Sequence, residues 1–289
     1  MLSILIPVHN YNCTALVRAL HRQCEACGMV YEVLLGNDAS TLFLDELHTL
    51  STLSNIRMVT AKENIGRSKI RNLLADKASY NTLLFIDCDA DASGNPAYIR
   101  QYLPYIGTPC CVVGGTQTHP SLDTPETHLN YTYDLLRETQ NSQKGHFTTF
   151  QFLIRKELFN QVRFDETIRS YGFEDSFFGY QISQHTPIQY INNPLVHTGM
   201  RTNTAYLAKI DELCTTMVHL YHSEHRPTLL KVSKLARYLH TLHRLKLHKG
   251  FARLFQAFEK RIVQNLCSPT PHLRYLDLYK LGKACKAVL

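Results

Sequence analysis

The chain has 289 residues, of which 44% are hydrophobic and 19% charged, and it carries a net charge of +7. That length suits one large domain or one domain with an appendage, and no internal repeat or low-complexity segment argues against a globular fold. Nowhere do about 18 apolar residues run together, so a membrane-spanning helix is not expected.

The charge is unevenly spread. From Arg226 onward there are 14 Lys and Arg against 2 Asp and Glu, a net +12, whereas the preceding residues carry 17 against 22, a net −5. Such a split points to a separate contact surface for something anionic. The opening MLSILIPVHN lacks a basic region and a small-residue cleavage site, so it reads as a first core strand and not as a signal peptide. Nine cysteines fall at irregular spacing. Cys24 and Cys27 form a CxxC, but no second close pair completes a zinc site. Cys13, Leu16, Val17, Leu20, Cys24 and Cys27 recur at helical spacing, which predicts a core-facing stripe. Unpaired thiols suit a reducing, cytosolic compartment.

In chain order, short apolar runs predict strands at Leu2–Pro7, Glu32–Leu35, Ile56–Val59, Thr82–Ile86 and Cys110–Val113. Helical patterns lie between them near 13–27, 41–50, 67–78 and 95–105. This alternation predicts an α/β fold with a mainly parallel sheet covered on both faces. Residues 116–145 read as a loop excursion with a short helix near 129–138. Phe150–Ile154 rejoins the sheet, Glu174–Ser183 reads as a helix, Ile188–Ile191 as a strand and Ala205–His222 as a longer helix. Residues 228–285 place Leu235, Leu239, Leu242 and Leu245 between basic residues, which predicts two or three amphipathic helices broken near Pro269–Pro271. The expected division is an α/β domain over 1–222 and a basic helical region over 223–289.

Ligands of such sheets bind beyond the carboxyl ends of the strands. HNYN, GNDAS and DCDAD all fall there. In TLLFIDCDADA a buried-type strand runs directly into Asp87, Asp89 and Asp91. Alternate carboxylates at a strand end suit a hard cation, and a magnesium- or manganese-type ion takes one or two of them and fills its other positions with substrate phosphates and water. Taken alone, DxD is equally the mark of a solvated acidic turn.

Five ordered elements then matter together: SILIPVHNYN, YEVLLGNDAST, NIGRSKIRN, LLFIDCDAD and YGFEDSFFGYQI. In that order they resemble the inverting glycosyltransferases of family 2, which have the GT-A fold. The resemblance covers roughly residues 2–185 and leaves out the basic tail. Asn37 and Ala39 replace an acid and a glycine of the second element, and Ala90 stands where many relatives have a further acid.

The resemblance implies a nucleotide-diphosphate sugar donor, most often a UDP-sugar, and manganese or magnesium as cofactor. Pro7 and His9 stand where the family packs the nucleobase, and Asp38 where it bonds base or ribose. Asn64, Gly66, Arg71 and Asn72 form the third element. Gly66 permits close backbone approach, a helix begins near Arg67 with its N-terminus toward the nucleotide, and Arg71 offers a planar fork to phosphate or base. Asp89 is the expected direct metal ligand, Asp87 meets ribose or metal-bound water, and His197, following a late strand, is a further ligand. Arg201 would clamp the leaving diphosphate, and Asp91 is expected to be an exposed turn residue. Asp175 is the expected general base for the acceptor hydroxyl, with Glu174 orienting the acceptor.

The implied acceptor is a saccharide or lipid-linked saccharide in cell-surface polysaccharide synthesis, its pocket built from loops such as 116–148. The basic tail then suggests a peripheral seat on the anionic inner face of a membrane; a solvated helical face or an oligomer contact would give the same pattern. Two other classes compete. A sugar-nucleotide nucleotidyltransferase shares the α/β pattern, but its Gly-rich loop is missing from HNYNCTALVRAL. A nucleic-acid-binding protein would use the tail, which carries no such motif.

Overall fold

A computed structural model describes residues 1–143 and 146–288. By backbone proximity the chain divides into two compact units. The first comprises Met1–His119, Phe178–Gly199 and the described residues of Arg137–Arg169; the second comprises Pro120–Leu136, Ser170–Phe177 and the chain from Met200 onward.

The first unit is built on ten strands: β1 Leu2–Val8, β2 Tyr31–Asp38, β3 Ile56–Ala61, β4 Thr82–Ile86, β5 Ala90–Asp91, β6 Cys111–Val113, β7 Thr116–Gln117, β8 Gln151–Arg155, β9 Ile188–Tyr190 and β10 Leu195–His197. Seven form one sheet in the order β3-β2-β1-β4-β8-β6-β9. β3, β2, β1 and β4 run parallel, β8 is antiparallel to both of its neighbours, and β9 is again parallel to β6. β2 and β4 are buried along their whole length, as strands covered on both faces must be.

Their side chains sort by the two-residue period of a strand. Ile4, Ile6, Val33, Leu35, Leu84 and Ile86 join Leu16, Val17, Leu20 and Cys24 of the helix Thr14–Ala26 in one core. Leu5, Leu34, Leu83 and Phe85 point the other way, into a second core with Phe152, Phe159, Phe164 and Phe178. There Phe85 stacks on Phe152 at 4.7 Å and Phe164 on Phe178 at 4.0 Å. Cys13 and Cys24 lie in the first core and Cys27 packs against it, so the cysteine stripe is structural.

The helix near 95–105 is a turn of α-helix, Tyr98–Tyr102, followed by a 3-10 turn, Leu103–Tyr105. β5, β7 and β10 form a small second sheet, β5-β10-β7, in which β10 is antiparallel to β5 and parallel to β7. It clips the segment after β4 to the segment before Met200.

The second unit is helical. Its core joins Leu129, Tyr206, Leu207, Ile210 and Cys214 to Phe255, Ile262, Leu266, Leu276 and Tyr279. Four helices follow residue 225: Arg226–Val232, Lys234–Arg244, His248–Leu266 and Leu273–Ala287, with the break at Pro269–Pro271 where the prolines predict it. The units do not divide at 222/223. The helix Asn203–Tyr221 shares its core with the two last helices, because its apolar face has no other partner of comparable size in this unit.

Candidate active site

Apart from Glu174, Asp175 and Arg201, the expected site residues fall in the first unit, at the carboxyl ends of β1, β2, β3, β4 and β10 and on the helix after β3. β1 and β2 pair in register from Leu2↔Tyr31 to Val8↔Asn37, which brings the turns after them side by side. His9 Nδ1 lies 2.7 Å from the Asp38 carbonyl oxygen, and the Asn64 amide nitrogen lies 3.3 Å from the same ring nitrogen. The Asp38 carboxylate is buried. It accepts from the backbone N–H groups of Ile65 at 2.7 Å and Gly66 at 3.0 Å. Asp38 is therefore a clamp on the 64–66 turn as well as a member of the cluster. Gly66 makes that turn with φ +85°, a value that an L side chain rarely adopts, and the helix Arg67–Lys77 starts immediately after it. Asn72 is buried as a spacer: its amide donates to the Phe164 carbonyl at 3.0 Å, and its oxygen accepts from Phe164 N–H at 3.0 Å.

Within the protein, Arg71 pairs with an acid. It is 2% exposed and donates from Nη2 to Asp87 Oδ1 at 2.6 Å. Its guanidinium also lies 5.3 Å from the centre of the Phe164 ring. Nε and Nη1 are buried with no hydrogen-bond partner among the described residues, so the fork is only half used there.

The two acids at the end of β4 are thereby separated. Burial pushes the Asp87 carboxyl up; Arg71 opposes this and Asp89 adds to it, leaving Asp87 above the ordinary carboxylate range. Burial also pushes Asp89 up, but the hydrogen bond and charge of His197, with Arg67, outweigh it and hold Asp89 below that range. Asp89 is the carboxylate that ionises first. His197 Nε2 lies 3.3 Å from Asp89 Oδ2, placed there by the pairing of His197 with Ala90 across β10 and β5. The Asp89 carbonyl is held by Thr198, whose N–H and hydroxyl both donate to it, at 2.8 and 2.7 Å. Tyr11 of HNYN reaches the Thr198 hydroxyl at 2.9 Å. Gly199 completes the arrangement, since a Cβ there would lie 2.3 Å from Asp89 Oδ2.

Of the three expected metal ligands, Asp89 and His197 adjoin, whereas Asp87 is engaged by Arg71. Among the described residues no cluster of three His, Cys, Asp or Glu side chains could by itself hold a metal ion. One carboxylate and one imidazole, the carboxylate packed against the Gly199 backbone, fit an ion that takes its remaining ligands from a substrate. Asp91 caps its own turn, accepting from Ser93 N–H and hydroxyl, both at 2.8 Å.

Glu174, Asp175 and Arg201 belong to the second unit. Glu174 and Asp175 open the helix Glu174–His185, where carboxylates complement the helix dipole. Glu174 is buried and accepts from Gly172 N–H at 3.1 Å. Asp175 is half-buried and accepts from Ser176 N–H at 2.6 Å. Arg201 N–H donates to the Asn130 side chain at 3.0 Å. Sequence reasoning missed Tyr11, Arg67, Thr198 and Gly199. HNYN contains Tyr11 and NIGRSKIRN contains Arg67, but the partners of all four are far off in sequence.

The strand order, with a mostly parallel sheet ending in the acids after β4, is that of the GT-A fold. Residues 3–163 match glycosyl transferase family 2, more than half of the chain, and the chain belongs to that family; it is a glycosyltransferase. It is 26% identical over 224 residues to chondroitin synthase of Escherichia coli, a match over 63% of this chain and 32% of that protein. The chain thus spans about a third of the length of this relative. Among solved structures it is similar in fold to the mannosyltransferase PcManGT from Pyrobaculum calidifontis in complex with GDP-Man and Mn2+ (TM-score 0.54, 12% identity, 99% of this chain and 85% of that one). It is similar also to S. aureus TarS in complex with UDP-GlcNAc (TM-score 0.52, 15% identity, 99% and 90%). A third is glucosyl-3-phosphoglycerate synthase from Mycobacterium tuberculosis with Mn2+, UDP and glucosyl-3-phosphoglycerate (TM-score 0.52, 16% identity, 76% and 79%).

Proposed function

We propose that this glycosyltransferase is inverting and metal-dependent, and that it moves a sugar from a UDP-sugar to a saccharide or lipid-linked saccharide in the assembly of a cell-surface polysaccharide. The observation that carries this reading is the Asp89–His197 pair, 3.3 Å apart, with the Gly199 backbone leaving room for the Asp89 carboxylate. The similarity to chondroitin synthase and to structures holding UDP or UDP-GlcNAc favours a uridine donor and a polysaccharide product.

Pro7, His9, Asp38, Asn64 and Gly66 receive the nucleoside, with Asp38 fixing the turn that carries Asn64 and Gly66. Arg71 acts through Asp87, holding it toward ribose and away from direct metal ligation. Asp89 and His197 would hold manganese or magnesium, which when bound supplies Lewis-acid stabilisation to the departing diphosphate. Asp175 takes the proton of the acceptor hydroxyl as that oxygen attacks the anomeric carbon, and the opposite face of attack inverts the configuration. Glu174, held by Gly172, orients the acceptor.

For the acceptor, the first unit offers a cavity of about 420 Å³ lined by Thr116, Gln117, Ser142, Tyr190 and Asn192. Hydroxyls, amides and one aromatic ring are the groups that bind neutral sugars. Three of them come from the loop expected to build the acceptor pocket.

Screening nucleotide sugars one at a time with manganese, reading release of the nucleoside diphosphate, tests the donor; GDP-mannose is the comparison. Nuclear magnetic resonance of the product then gives the anomeric configuration. Retention of configuration, or turnover undiminished by a chelator, overturns the reading.

A further inference from the structure

Within the second unit, the helix His248–Leu266 buries Ala252, Phe255, Ile262 and Leu266. A second apolar row is left on its outside. Leu247, which opens the helix, is 54% exposed, Leu254 59% and Phe258 46%. With the half-buried Phe251 they follow one another at four, three and four residues, so they form one stripe. Phe251, Leu254 and Phe258 line a groove of about 490 Å³ together with Arg261, Asn265, Tyr275 and Leu278, and Tyr275 on the neighbouring helix is itself 43% exposed. A solvated helix would carry polar residues here.

The charge around this stripe has one sign. Lys246, Lys249, Arg253, Lys260, Arg261 and Arg274 are all exposed and enter no ion pair among the described residues. The acid on the same helix, Glu259, is turned inward to Lys283 at 3.1 Å and Lys286 at 3.0 Å. The stripe therefore presents leucine and phenylalanine side chains with Arg261 lining the groove beside them and Arg274 one turn from Leu278, whereas Lys249, Arg253 and Lys260 lie on the far face of the helix. That combination matches a surface with anionic headgroups over hydrocarbon. A second copy of the chain would bring the same cations against themselves, and an acidic protein would leave the apolar row without a complement.

We infer that the stripe from Leu247 to Arg261, with Tyr275, is a membrane-docking surface for anionic bilayer lipid. The helix lies in the interface, its apolar row reaching below the headgroups and Arg261 and Arg274 among the phosphates. This does not depend on which sugar is transferred or on the identity of the acceptor.

Co-sedimentation of the full chain with phosphatidylcholine vesicles, with and without phosphatidylglycerol, tests it. The chain is expected to pellet with the anionic vesicles, and less so as salt is raised. Replacing Arg261 and Arg274 by Gln should weaken this binding on the order of 30-fold, at about a fivefold loss per cation. Leu254→Ser with Phe258→Ser should weaken it at least tenfold, with an unchanged helical signal in circular dichroism because neither belongs to the buried row of the helix. The inference is overturned by failure of the intact chain to bind anionic vesicles, or by binding that neither set of changes reduces. It is equally overturned by a concentration-dependent dimer that the Leu254 and Phe258 changes dissolve, which would make the stripe a self-contact.

Discussion

At the scale of single residues, Gly199 is the most informative position. A methyl group there would sit 2.3 Å from Asp89 Oδ2, so Gly199→Ala must move the carboxylate that faces His197. Losing one well-placed charged contact costs about 1–3 kcal/mol, so metal-dependent UDP affinity should fall roughly ten- to a hundredfold while the thermal midpoint barely moves. Calorimetric titration of UDP with and without manganese reads this; an unchanged affinity would mean that Asp89 does not hold the metal. Asp175 is tested from the other side. Asp175→Asn keeps the shape and the contact with Ser176 but cannot accept a proton, so UDP binding should persist while transfer drops by on the order of 10²–10⁴-fold. Near-normal transfer would assign the base elsewhere. The acids were legible in the sequence because they close an apolar strand and stand in order with four other elements; alone they would read equally as a solvated turn. Gly199 was not: a glycine announces its role only through the atom it makes room for, here 110 residues earlier in the chain.

At the scale of elements, the parallel half of the sheet is tied at its amino edge by one buried acid. Glu32, at the start of β2, accepts from the Ser3 hydroxyl of β1 at 2.6 Å, from Ser79 N–H at 2.5 Å and from Arg57 of β3 at 3.1 Å. Burial pushes its carboxyl up, but Ser3, Ser79 and Arg57 together hold it below its ordinary value. A depressed carboxylate stabilises the fold above its unfolded pKa, about 4.3, and that contribution is lost as pH falls through the folded value, because the unfolded chain then binds the proton more readily. Glu32→Gln should therefore lower stability at pH 7 and flatten its decline on acidification below about pH 4.3, as urea midpoints across that range would show. An unaltered acid limb would assign the decline to other carboxylates.

Strands of this kind are easily read from sequence. β4 has the bounds its apolar run predicts, and β1, β2, β3 and β6 differ by a few end residues. β5 and β7, of two residues each, carry no period long enough to detect. They nevertheless set the pairing that delivers His197 to Asp89.

At the scale of the molecule, two boundaries compete. Charge changes sign near Arg226, which suggests an appendage that could be removed. Packing says otherwise: Tyr206, Leu207, Ile210 and Cys214 of the helix Asn203–Tyr221 are buried against Phe255, Ile262, Leu266, Leu276 and Tyr279. Lys283 adds ion pairs to Asp211 and Glu259, both at 3.1 Å. Each large apolar side chain returned to water costs about 1.5–3 kcal/mol, and a whole domain is stable by only about 5–15 kcal/mol. Uncovering four core residues at once is thus comparable with all the stability this unit has. Charge was the wrong guide because it describes the outer faces of these helices, and the core is made by their inner ones. A fragment ending at His222 should aggregate, or bind a hydrophobic dye with loss of near-ultraviolet dichroism, whereas the full chain should unfold in a cooperative transition. A monomeric fragment of 1–222 that unfolds cooperatively and binds no dye would restore the boundary that charge suggests, and would make the four last helices an independent module.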